Sequence, residues 1–141
     1  MSPAEAVSKI DRLSEEERDC IEICNQAAGV SEWCADECLG SEEMERCARL
    51  CRDVADVTSL HARFMARGSD YSHHFARACA EVCEACADEC EQHDVDHCQV
   101  TAEVLRECAE SCQTMANARS GASVPLTIAA DGTRGTRMAD G

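Results

Sequence analysis

One run of residues decides what this chain can fold into: Cys79, Cys83, Cys86, Cys90, His93 and His97 follow one another at steps of four, three, four, three and four. Steps of that kind return to a single stripe of an α-helix, the stripe that faces other helices in a bundle. Three further segments keep the same frame. They are Cys20, Cys24, Ala27, Ser31, Cys34 and Cys38; Cys47, Cys51, Val54, Thr58, His61 and Met65; and Cys98, Thr101, Leu105, Cys108, Cys112 and Met115. All 13 cysteines fall in it. Bundles ordinarily fill this seam with Leu, Ile and Val, whereas thiols and imidazoles are soft ligands for soft metal ions.

Local signals divide the chain into helices. Ser2-Pro3 starts a short leading helix over 3–13, proline being suited to the first helical position. Ser14 with Glu17 three residues on reads as a capping box, opening a helix that runs to about Leu39 and stops at Gly40. Ser41 caps the next, which ends near Arg67 before Gly68. A third core helix spans about Asp70 or Ser72 to His93, and a fourth runs from Asp96 and His97 to about Arg119. Short connections make sequential helices antiparallel neighbours. The expected class is all-α, an antiparallel up-down-up-down four-helix bundle with a short extra N-terminal helix. Residues 1–119 form the cysteine-lined bundle, and 120–141, which lack cysteine and helical period, form a flexible tail.

Hydrocarbon is scarce for such a bundle. There are six Leu, four Ile, two Phe and one Trp in 141 residues, so something besides apolar burial helps hold the helices together. The net charge of −15 argues against a nucleic-acid partner, whose phosphates require a basic face. No window approaches a membrane span, and no basic, apolar leader follows Met1, so a cytoplasmic location with reduced thiols is expected. An odd number of cysteines also fits poorly with a closed disulfide framework.

Folding the helices antiparallel gathers Cys34, Cys38, Cys47, Cys51, Cys86, Cys90 and Cys98 at one end, with His93 and His97 at its rim. The other end collects Cys20, Cys24, Cys79, Cys108 and Cys112, with His61, Met65 and Met115 nearby. Cys83 falls near a more apolar waist beside Ala27, Val54 and Leu105. Cys-x-x-x-Cys occurs at 20/24, 34/38, 47/51, 79/83, 86/90 and 108/112, and residues four apart stand on one helix face where they can converge on one ion. Two sulfurs suit two-coordinate Cu(I), whereas structural zinc favours Cys-x-x-Cys turns and four ligands. Divalent zinc at one ion per thiolate would also bury excess positive charge. Thiolates bridging Cu(I) ions would hold on the order of a dozen per chain. Zinc or iron–sulfur binding and a thiol redox buffer or sensor are the alternatives. The redox role requires exposed cysteines beside basic groups, which an acidic, inward-facing seam does not supply. His73 and His74 are expected at the surface. No catalytic constellation is visible.

The stretch from Cys79 to Cys98, CAEVCEACADECEQHDVDHC, closely resembles the bacterial copper storage proteins, as do Trp33-Cys-Ala-Asp-Glu-Cys38-Leu and Arg46-Cys-Ala-Arg-Leu-Cys51. The resemblance covers about residues 15–118. It implies cytosolic or exported storage of many Cu(I) ions inside the bundle, often in a homotetramer, and with no leader visible the cytosolic branch of that family is expected. A copper chaperone is the kind of partner expected, delivering ions by thiol exchange at the mouth near His61, Met65 and Met115. Ala27, Ser31, Thr101 and Leu105 stand where denser members carry cysteine, and these gaps bear on capacity and on the continuity of copper through the waist.

Overall fold

A computed structural model describes residues 1–122. It contains helices α1 (Pro3–Ser8), α2 (Glu15–Glu37), α3 (Glu45–Ala66), α4 (Ser72–Glu91) and α5 (Asp96–Ala122). The four long helices form a closed ring in which each packs on its chain neighbours and α2 returns against α5. Cross-helix sulfur pairs fix the directions: Cys20 meets Cys112, Cys51 meets Cys86 and Cys47 meets Cys90, so adjacent helices are antiparallel. This is the expected bundle with its short leading helix.

The capping box forms as anticipated. The Glu17 amide donates to Ser14 Oγ at 3.1 Å, and the Ser14 amide donates to Glu17 Oε1 at 2.8 Å. From there α2 runs unbroken past Gly29. Gly40 (φ +87°) and Gly68 (φ +68°) take left-handed conformations after α2 and α3, which a side chain would strain.

Three boundaries differ from expectation. The leading helix ends at Ser8 because the chain turns to seat Leu13 in the core and to extend Ser14 as a cap. Ser41 does not cap through its side chain. A single 3-10 turn, Glu42–Met44, precedes α3, which starts three residues later than the sequence predicts. Helix α5 continues to Ala122, past the expected boundary near 119; the remainder of the expected tail, 123–141, lies outside the described residues.

Alanine lines the flanks of the seam. Ala35, Ala55, Ala62, Ala80, Ala87, Ala102 and Ala109 are all buried, letting the backbones approach closely around the sulfurs. The bulkier buried apolar side chains are few: Leu13, Ile21, Val54, Met65 and Leu105. Exposed ion pairs join the helices outside, Arg106 with Asp88 (2.6 Å) and Glu91 (2.9 Å) across α4/α5, and Arg52 with Glu32 (3.3 Å) across α2/α3. Each contributes little in water.

Candidate metal centre

The helical frame turns every thiol inward. All 13 cysteines are free, and none exceeds 1% exposure. Their sulfurs approach mostly between helices. Cys47 lies 3.4 Å from Cys90, Cys51 3.6 Å from Cys86, Cys24 3.8 Å from Cys112, and Cys20 3.9 Å from Cys112. A disulfide needs about 2.05 Å, whereas two metal–sulfur bonds of about 2.3 Å each span this kind of separation.

Four groups of potential ligands have all their donor atoms within 4.8 Å of one another. Two lie at one end: Cys20, Cys24, His61 and Cys112, and then Cys24, Cys79, Cys108 and Cys112. Two lie at the other: Cys34, Cys47, Cys51 and Cys90, and then Cys34, Cys38, Cys47 and Cys98. The members overlap. Cys24 and Cys112 belong to both groups of the first end, and Cys34 and Cys47 to both of the second. Four isolated tetrahedral zinc sites cannot be built from shared sulfurs, whereas bridging thiolates of a cluster share by nature. The grouping also refines the expected role of the Cys-x-x-x-Cys pairs. Pairs 20/24, 34/38, 47/51 and 108/112 fall within one group each, while Cys83 of 79/83 and Cys86 of 86/90 belong to none of the four groups.

Crowding of thiols sets their protonation. Donation by the Cys112 and Cys24 thiols holds Cys20 down to about 3 despite its burial. Donation by Cys51 and Cys90 lowers Cys86 to about 5, and donation by Cys112 and Cys24 lowers Cys108 to about 6. Cys34 and Cys79 are lowered in the same way, Cys34 by Cys47, Cys51 and Cys90, and Cys79 by Cys108, Cys112 and Cys24. Their partners hold protons harder. Cys108 raises Cys24, Cys83 and Cys112, and Cys34 raises Cys47, Cys51 and Cys90. Burial raises Cys38, and burial pushes Cys98 up to about 12. Each cluster therefore pairs a few thiolates with thiols that an incoming cation must deprotonate.

The histidines divide by role. His61 is fully buried, with Nδ1 3.5 Å from Cys24 Sγ and 3.6 Å from Cys112 Sγ. Its Nε2 is buried without a hydrogen-bond partner. His61, Met65 and Met115 line a cavity of about 340 Å³ with Glu16, Glu17 and His73, an acidic-lipped opening onto the first end. His97 places Nε2 3.6 Å from Cys38 Sγ and meets the Trp33 ring edge-on at 6.1 Å. His93 joins none of the four-ligand groups; its Nε2 sits 2.9 Å from Glu89, which also pairs with Arg46 (3.5 Å). His74 is exposed as expected, but His73 is half-buried on the cavity wall. Its signal was its place directly after Ser72, at the flank of the seam.

The sequence matches the family model for copper storage proteins over residues 13–117. It is 37% identical over 100 residues to the uncharacterized cysteine-rich protein YhjQ of Bacillus subtilis, a match covering 69% of this chain and 93% of that one. Its fold is similar to that of the Cu(I)-bound copper storage protein BsCsp3, at a TM-score of 0.69 and 35% identity, with 72% of this chain and 99% of that chain covered. A cytosolic copper storage protein from Streptomyces lividans, holding five coppers, gives a TM-score of 0.69 at 34% identity, with 79% and 96% covered.

Proposed function

The chain belongs to the copper storage protein family, and from that premise we propose that it holds many Cu(I) ions as thiolate clusters inside its bundle. The observation that carries this reading is the burial of all 13 thiols, 11 of them in overlapping ligand groups. Overlap favours bridging, and bridging lets monovalent ions and thiolates approach equal numbers without stranding charge in the core.

The ligands are the 13 cysteines, with His61 as a nitrogen ligand at the cavity end and His97 beside Cys38 at the other. Met65 and Met115 supply soft sulfur along the cavity wall, and His93 guards the rim through Glu89. An arriving ion exchanges donor thiols for His61 and the sulfurs behind it. The role is non-catalytic. A cytosolic setting, a homotetrameric assembly and a copper chaperone as donor belong to the same proposal, as does a storage unit spanning residues 1–119. No helix among the described residues is long and apolar enough to cross a membrane.

Anaerobic titration with Cu(I) against a competing chelator tests the reading. We expect on the order of a dozen tightly held ions per chain. A plateau at about three, the number that four-sulfur sites would allow, rejects it in favour of zinc-type coordination.

A further inference from the structure

The sulfur lining is interrupted at the same level on three helices. No thiol or imidazole of the seam lies between Cys24 and Cys34 on α2, between Cys51 and His61 on α3, or between Cys98 and Cys108 on α5. Each gap is ten residues, about 15 Å along a helix. What fills it is hydrocarbon and hydroxyl: Ala27, Val54 and Leu105, with Ser31, Thr58 and Thr101, all fully buried. Leu105 is the largest fully buried side chain among the described residues. The Thr58 hydroxyl is committed to the Val54 carbonyl at 2.7 Å, and hydroxyls are in any case poor partners for a soft ion.

Only α4 carries thiols through this level, and the two meet different partners. Cys83 has Cys79 and Cys108 as its thiol neighbours, whereas Cys86 packs on Cys51 and Cys90. Three positions apart, they are displaced about 4.5 Å along the helix and about 60° around it. The hydrogen-bonded sulfur pairs and the four-ligand groups each stay within one end.

We infer that the bundle keeps its copper as two separate pools, one behind His61 and one behind His97, with the waist barring passage of ions between them. The inference rests on the storage reading and adds its internal organisation. A chain of bridging thiolates advances by about two metal–sulfur bonds per step, and the waist offers no such stepping stones on three of its four walls. Each pool therefore fills and empties through its own end.

Trp33, the only tryptophan, stands against His97 and so reports the second pool alone, while thiolate-to-copper absorption reports both. We would titrate the full chain anaerobically with Cu(I), alongside a Cys24→Ser/Cys108→Ser/Cys112→Ser variant and a Leu105→Cys variant. The triple variant should lose about half of the capacity while Trp33 responds to bound copper with an affinity within about twofold of the parent. A tenfold or larger loss at Trp33, in a variant whose far-ultraviolet dichroism is unchanged, overturns the two-pool inference and leaves storage standing. Should the triple variant not fold, Leu105→Cys decides. With a sulfur placed in the waist, copper presented as a half-load should redistribute between absorption and Trp33 signals at least tenfold faster than in the parent, and equal rates overturn the inference. A parent chain that takes up only one or two ions overturns storage and the pools together.

Discussion

At the scale of single residues, the waist is where chemistry was set aside. The hydroxyl of Ser31 is fully buried and lacks a hydrogen-bond partner among the described residues. Such groups cost about 1–3 kcal/mol each relative to a satisfied or apolar equivalent. Ser31→Ala should therefore raise the stability of the metal-free, reduced protein by about 1 kcal/mol or more. Urea unfolding checks this, and copper capacity should stay at its parent value because a hydroxyl is a poor partner for a soft ion. That the thiols face inward was readable from spacing, since a 3.6-residue period sends Cys34 and Cys47 to the same interior whatever surrounds them. The partners of the histidines were not. His93 and His97 share the frame, yet His93 turns to Glu89 and His97 to Cys38, a choice made by side-chain rotation on a bundle rim. The seat of His73 on the cavity wall was equally hidden, because it depends on how α4 leans toward the start of α2 and the end of α5.

Helix by helix, ends were legible where a cap has its own chemistry. Ser14 with Glu17, Gly40 and Gly68 each specify a local geometry, and each appears as read. Ser14→Ala should remove a reciprocal pair of bonds and lower stability by about 1 kcal/mol, measured by thermal melt, with no change in copper stoichiometry. Ser41 misled because its side chain makes no capping bond and the backbone spends Glu42–Met44 in a tighter turn before α3 is established. The early end of α1 has a tertiary cause. Leu13 must reach the core, and the Arg12 guanidinium reaches the Ala66 carbonyl at the end of α3, which tethers this segment across the bundle.

For the molecule as a whole, proton and metal compete for one set of sulfurs. Most clustered thiols hold protons at neutral pH, Cys98 being pushed up to about 12, so loading must release them. The sign follows directly: lowering pH adds protons to the product side, and Cu(I) affinity falls. It should fall further below about pH 6 and then about pH 5, as Cys108 and Cys86, thiolates at neutrality, also acquire protons. Competition titrations across pH 5–8 would record this, and an affinity independent of pH would contradict it. Loading should also raise the melting temperature with each increment of copper, because ions bound only by the folded bundle stabilise it by mass action.

Because so little hydrocarbon stands behind Leu13, Ile21, Val54, Met65 and Leu105, the cargo doubles as mortar. A filled copy is braced from within, while an emptied one opens more often and meets proteases sooner. The lifetime of each molecule is thereby tied to the metal supply it was made to manage.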